Sequence, residues 1–140
     1  ITAALTLDRD THMGTVLNLN HTTGFIVTMP AATGSGDVYH FYVRTTVTSG
    51  NMIVAALTTD IIQGVLGLAS DVAGVTCPAT ATSDYITMNG STTGGVLGGR
   101  FTLEDVVSGV WACTGQLVTS GSEATPFAAP KPRHARPDPE

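Results

Sequence analysis

Residues 24–49 read GFIVTMPAATGSGDVYHFYVRTTVTS, two runs of alternating side chains separated by turn-forming residues. In the first run the apolar side chains of Phe25, Val27 and Met29 share one face. In the second run alternate positions again separate into two sets, which are Tyr39, Phe41, Val43 and Val47 on one face and His40, Tyr42, Arg44 and Thr46 on the other. A period of two is typical of half-buried β-strands. The proline and glycines between the runs favour a turn, so the stretch predicts an antiparallel hairpin.

The same alternation continues on both sides of this stretch and predicts about eight or nine short strands with essentially no helix. Residues 15–20 alternate, whereas 52–57 are apolar on both faces, as in a fully buried strand. Further strands are expected at 85–89, around Phe101 and Leu103, at 107–113 and at 116–119, with a corner at Glu104-Asp105. The predicted fold class is all-β, a compact antiparallel β-sandwich or a small β-barrel.

Residues 60–73 allow two interpretations. Asp60 and Gln63 form the pattern of a capping box, followed by apolar residues at helical spacing. Gly64 and Gly67 oppose a helix, because each glycine in a helix interior costs about 1 kcal/mol. We therefore favour a strand with a bulge.

The composition limits the possible functions. The 140 residues suit one domain, and only 12% of them are charged, about half the proportion usual for soluble domains. Thr, Ser and Gly supply the polar surface instead, which indicates either a surface covered in an assembly or simply a Thr-rich β exterior. With a net charge of −5 and no basic stripe, we expect no nucleic-acid partner. The sequence contains no run of 18 apolar residues, so we expect no membrane-spanning helix.

Motifs of known chemistry are not apparent, so we expect no enzyme, no metal and no cofactor. The four histidines lack the spacing of metal ligands, and Asp8-Arg9-Asp10 lacks the glycine and glutamate of a calcium loop. His40 could be a ligand or a base, but a surface role explains it better. Neighbouring Glu104 and Asp105 would point to opposite faces of a strand, which suits paired acid–base chemistry badly.

Two further side-chain types leave alternatives open. Tyr39, Tyr42, Tyr85 and Trp111 could line a groove for sugar or peptide. We place Tyr42 on an outer face and expect the other three to pack in the core. Cys77 and Cys113 are too few for a disulfide framework. A buried thiol is expected at Cys113, and pairing with Cys77 stays open.

The two ends differ from the alternating middle. We divide the chain into an N-terminal arm (1–8), a β domain (9–127) and an extended tail (128–140). Residues 1–8 are apolar and Thr-rich, which suits either an arm or an edge strand. The end of the chain is rich in proline, a composition that favours extended backbone.

Four segments resemble a family of small β-rich virion proteins of tailed bacteriophages, the head decoration or cement proteins. They are VTMPAATGSGDVYHFYVRTTVTS (27–49), DYITMNGSTTGG (84–95), FTLEDVVSGVWACTG (101–115) and SGSEATPF (120–127). The resemblance implies a non-enzymatic structural protein, made in the host cytoplasm, that forms homotrimers on the outer surface of the virion capsid. Its implied partners are the major capsid protein and its own copies, with no nucleic acid and no membrane.

Within this hypothesis the capsid-binding residues are those of the arm, which lie outside the alternating pattern: Ile1, Thr2, Ala3, Ala4, Leu5, Thr6, Leu7 and Asp8. The cationic tail residues Lys131, Arg133 and Arg136 are possible further contacts. The alternative function is a tail-fibre or adhesin-type domain that binds host-surface glycan. A secreted β-sandwich enzyme or lectin is a third possibility.

Overall fold

The computed structural model describes residues 1–130, which form a β-sandwich of two packed sheets. One sheet has five strands, in the spatial order β1 (Leu5–Thr6), β3 (Ile26–Thr28), β5 (Met52–Ala55), β8 (Tyr85–Met88) and β11 (Phe127–Ala128). The other has six, in the order β2 (Val16–Leu19), β4 (Val38–Val43), β9 (Val96–Val107), β10 (Val110–Val118), β6 (Ile61–Ala69) and β7 (Gly74–Pro78). One helical turn, α1 (Arg9–His12), precedes β2. The all-β prediction is confirmed, and of the two expected architectures the chain forms the sandwich, with eleven strands in the described residues where eight or nine were expected.

Strand pairing is mixed, whereas the sequence analysis expected antiparallel pairs. β1 and β5 both run parallel to β3, β2 runs parallel to β4, and β6 runs parallel to β10. The remaining pairs are antiparallel. The reason is the path of the chain: from β1 to β6 each strand lies in the opposite sheet from the one before it. β1, β3 and β5, and likewise β2 and β4, therefore become neighbours and run in the same direction. β6 is separated from β4 by β9 and β10 and instead runs parallel to β10.

The predicted hairpin at 24–49 is wrong, although its two strands and their buried faces are correct. β3 belongs to the five-stranded sheet and β4 to the six-stranded sheet, so they do not pair. Residues 29–37 cross from one sheet to the other. Val27 and Phe41 are nevertheless both buried, because they enter the same core from opposite sides.

The core is filled mainly by large apolar side chains from the inner faces of both sheets. Phe41 on β4 stacks on Phe101 on β9, with ring centroids 4.9 Å apart. Tyr39 meets Trp111 edge to face at 5.5 Å. Burying one such side chain stabilises the fold by about 1.5–3 kcal/mol, and an aromatic pair adds about 0.5–1.5 kcal/mol. The six-stranded sheet thus supplies an aromatic layer that accounts for much of the packing.

Residues 61–69 form a strand, as favoured over the helix. β6 pairs with β10 in unbroken register from Ile61 to Ala69, so the bulge expected here is not present. Register shifts occur instead between β9 and β10. The predicted corner at Glu104-Asp105 is also wrong: β9 continues to Val107, because Glu104 pairs with β4 and β10 and Asp105 pairs with β10.

The N-terminal residues are part of the sandwich. Leu5–Thr6 add an edge strand to the five-stranded sheet, and the Ile1 nitrogen donates to the carbonyl oxygen of Asn18 beside the other sheet. Leu7 is only 3% exposed and belongs to the core. The expectation that the arm lies outside the core is therefore wrong at Leu7. Asp8 then caps α1 by accepting the N–H of Thr11.

Candidate interaction surface

Residues considered for catalysis are not brought together. His40 is half-buried on β4, and its Nδ1 lies 3.1 Å from the hydroxyl of Thr102. Glu104 is exposed while Asp105 is buried, which confirms their opposite orientations. Among residues 1–130 no group of three or more His, Cys, Asp or Glu side chains is arranged to hold a metal ion. His40 with Thr102 is therefore an ordinary cross-strand hydrogen bond.

Asp105 anchors the loop that connects the two sheets. Its carboxylate accepts hydrogen bonds from the N–H of Thr33 at 2.9 Å, the N–H of Gly34 at 2.6 Å and the hydroxyl of Ser35 at 3.0 Å. Burial raises the pKa of Asp105, but these donors outweigh it and leave the pKa lowered. This role of Asp105 was not predicted from the sequence, where the available signal was the row of turn-forming hydrogen-bond donors at 33–36.

Two other carboxylates hold the same crossing segment. Asp60, just before β6, accepts the N–H of Ala32 at 2.8 Å. Asp37 lies 2.6 Å from Arg9 in an ion pair in which the arginine is largely exposed. Asp60 binds a main-chain N–H group and Asp37 pairs with an arginine, and both carboxylates are buried or nearly so. Both side chains therefore have structural roles.

Both cysteines are buried free thiols, as expected for Cys113. The pairing left open for Cys77 does not form, because Cys113 lies opposite Gly64 on one side of β6 and Cys77 lies opposite Leu66 on the other. Two strand spacings separate them by roughly 10 Å, too far for a disulfide. Burial raises the pKa of the Cys113 thiol to about 12, so it is neutral and unreactive in the folded protein.

A shallow depression of about 360 Å³ lies between residues 70–73 and 120–123. Its titratable side chains are Asp71 and Glu123, with serines around them. Glu123 already accepts the hydroxyl of Thr119 at 2.9 Å. Imidazole and carboxylate do not converge here.

The five-stranded sheet has a different distinguishing feature, since none of its strands contains a charged residue. We call its outer side the uncharged face, formed by the side chains that alternate with those in the core: Thr6, Ile26, Thr28, Ile53, Ala55, Tyr85, Thr87 and Ala128. Ile53 and Ala55 are buried without belonging to the core cluster. Tyr85 is half-buried on this same outer side, opposite Ala55, so the expectation that it lies in the core is wrong. Such a surface can lose its water without the cost of desolvating a charge.

Comparisons with protein-family models, curated proteins and solved structures give no match to this chain. Within residues 1–130, no helix has the length and apolar character needed to cross a membrane.

Of the residues proposed from the sequence as capsid contacts, Thr6 lies at one border of the uncharged face. Thr6 extends the row that contains Thr28, whereas Ile1 is hydrogen-bonded to Asn18 of the other sheet and to Asn20 just after it, and residues 2–4 are exposed between these two attachments. Leu7 and Asp8 serve the core and the α1 cap instead. Lys131, Arg133 and Arg136, the possible tail contacts, lie outside the described residues, as does most of the predicted tail.

Proposed function

We propose that this chain is a structural virion protein that decorates a bacteriophage capsid and stabilises it by binding the outer surface of the major capsid protein lattice as a homotrimer. The proposal begins from the resemblance of four segments to head decoration proteins. The absence of charge from all five strands of one sheet is the structural observation that favours it.

Ordinary sheet surfaces that face water carry charged side chains, and the buried centres of protein interfaces are depleted in them. The uncharged face offers Thr hydroxyls, the Tyr85 ring and the Ile26 side chain to a partner. On a capsid it would be presented many times over. Linking three copies in a trimer converts modest affinity at each contact into durable attachment.

In this proposal residues 2–6 extend the contact at the border of the uncharged face. The segment is already fixed by the β1–β3 pairing and by the hydrogen bond from Ile1. Little conformational entropy is therefore lost when its exposed side chains meet the capsid surface.

The direct test is co-sedimentation of the purified chain with capsids that lack it, followed by a cryo-EM map of the decorated particle. We expect saturable binding and density for three copies around a threefold position. Failure to bind the capsids of the phage that encodes this chain would overturn the function.

Charge substitutions then test the contact surface. Thr87→Glu introduces a carboxylate in the uncharged face and is expected to weaken capsid binding at least tenfold, since a buried unpaired charge costs several kcal/mol. Thr76→Glu on β7 is the matched control, because it adds the same charge to the exposed side of the other sheet. Equal loss in both variants would exclude the uncharged face as the contact.

A further inference from the structure

The outer side of the six-stranded sheet is polar and carries a continuous row of hydrogen-bonding side chains. The strand registers place Asn18 opposite Tyr42, Tyr42 opposite Arg100, and Arg100 opposite Gln116. Four neighbouring strands at about 4.8 Å spacing make this row about 14 Å long. We call it the polar row; the adjacent row contains His40, Thr102 and Thr114.

Arg100 is a cation held in place without a carboxylate partner. Its guanidinium carbon lies over the Tyr42 ring, 5.8 Å from the centroid. Among residues 1–130, the side-chain ion pairs involve Arg9 and His12, and Arg100 forms none. The stacked guanidinium keeps its N–H donors available, in the planar arrangement that binds a carboxylate through two hydrogen bonds.

The side chains around Arg100 are suited to a sugar. Amide and hydroxyl groups at Asn18, Gln116 and Thr114 are exposed and can both donate to and accept from sugar hydroxyls. Gln116 is paired with Gly67, and its side-chain amide lies over that glycine, in space that a Cβ would otherwise occupy, so the amide sits at this end of the row. The half-buried Tyr42 adds an aromatic edge beside the cation.

Other polymeric ligands fit this surface less well. A peptide that docks by strand addition needs a free sheet edge, but β4, β9 and β10 are each paired on both sides. A nucleic acid would need several cations aligned along its backbone, whereas Arg100 is the one cation among the four side chains of the polar row. One oriented cation among neutral hydrogen-bonding groups matches a chain of sugars that bears carboxylates.

We propose that the polar row binds an acidic glycan, with Arg100 pairing a uronate-type carboxylate and the flanking amides and hydroxyls binding the sugar hydroxyls. The site lies on the opposite side of the sandwich from the uncharged face. It is therefore independent of capsid binding, and a decorated particle would carry it outward.

The test uses the purified full chain and calorimetric titration with alginate oligosaccharides, which are polymers of uronic acids. Neutral dextran oligosaccharides of similar length and poly-glutamate serve as the comparison ligands. We expect binding of alginate at least tenfold tighter than that of either comparison ligand. Arg100→Gln is expected to weaken alginate binding about tenfold or more, the size of a lost charge-assisted pair.

Arg9→Gln is the matched control, since it removes the same charge from the Asp37 ion pair at another part of the surface. Alginate affinity should be unchanged in this variant, with folding of both variants checked by circular dichroism. No binding of alginate, equal binding of poly-glutamate, or equal losses in the two arginine variants would each overturn the glycan site. None of these results depends on whether the chain binds a capsid.

Discussion

The carboxylate of Asp105 accepts the main-chain N–H of Gly34 at 2.6 Å, although 71 residues separate the two in sequence. Asp105 lies on the inner side of β9 and is only 2% exposed. Gly34 belongs to the segment that carries the chain from one sheet to the other. This pair therefore holds the crossing segment to β9, and β3 and β4 on either side of that segment lie in different sheets.

Replacing Asp105 with alanine should destabilise the fold by about 3 kcal/mol, because the N–H groups of Thr33 and Gly34 lose their acceptor. Glu104→Ala is the control, since Glu104 is adjacent in sequence and exposed. It should change the free energy of unfolding by less than about 0.5 kcal/mol. Urea denaturation measures both values, and similar small losses would contradict an anchoring role for Asp105.

Stability should decrease in acid because of the same carboxylate. The folded-state pKa of Asp105 lies below its ordinary value of 3.8, because the hydrogen bonds that lower it outweigh the effect of burial. The unfolded chain therefore takes up the proton at a higher pH than the folded protein. The stabilisation is complete above the unfolded-state pKa and is lost as pH falls through the folded-state pKa.

Urea unfolding measured at pH values from about 7 to 2 tests this linkage. Asp105→Asn cannot titrate at this position, so its free energy of unfolding should fall less steeply in acid than that of the parent chain. Identical pH profiles for the two proteins would exclude Asp105 as a source of the acid sensitivity.

Leu7→Ala should cost about 2–4 kcal/mol of stability, as expected when a buried leucine is truncated. Leu5→Ala, two residues earlier and 38% exposed, should cost clearly less. Thermal or urea unfolding distinguishes the two. If both variants had the same free energy of unfolding as the parent chain, the N-terminal segment would not be part of the core in solution. Deleting residues 1–8 would then test capsid binding without disturbing the fold.

Gly64→Ala should destabilise the fold by about 3 kcal/mol or more. The φ angle of Gly64 is +122°, which disfavours any residue with a Cβ. An added Cβ would also overlap the carbonyl oxygen of Cys113 on the neighbouring strand β10. Gly36→Ala offers a comparison, since φ is also positive at +82° but nothing lies within 4 Å of an added Cβ. The comparison variant should lose only about 1–2 kcal/mol from backbone strain. Equal losses of stability in the two variants would mean that the close approach of β10 to Gly64 does not cause the destabilisation.

Alkylation of Cys113 should report unfolding. With its pKa raised to about 12 by burial, the thiol should react with iodoacetamide at pH 8 only when the protein opens. Mass spectrometry of peptides after timed labelling should find Cys113 protected in the native protein and modified rapidly in urea. Fast native labelling would show that β10 is open to solvent.

The sequence by itself determined which side chains face the core. Tyr39 and Phe41 are buried while His40 and Tyr42 are only half-buried, because side-chain alternation along a strand is a local property of the backbone. The same rule separated Glu104 from Asp105 correctly. The composition also showed the low content of charged residues on which the proposed interaction surface depends.

Only the tertiary structure decided which strands are neighbours. β3 and β4 alternate just as the strands of a hairpin would, but pairing depends on contacts distant in sequence, such as that between Asp105 and Gly34. The uncharged face and the polar row arise in the same way. Each gathers side chains from strands far apart in the chain, and strand registers, which local alternation does not specify, bring them together.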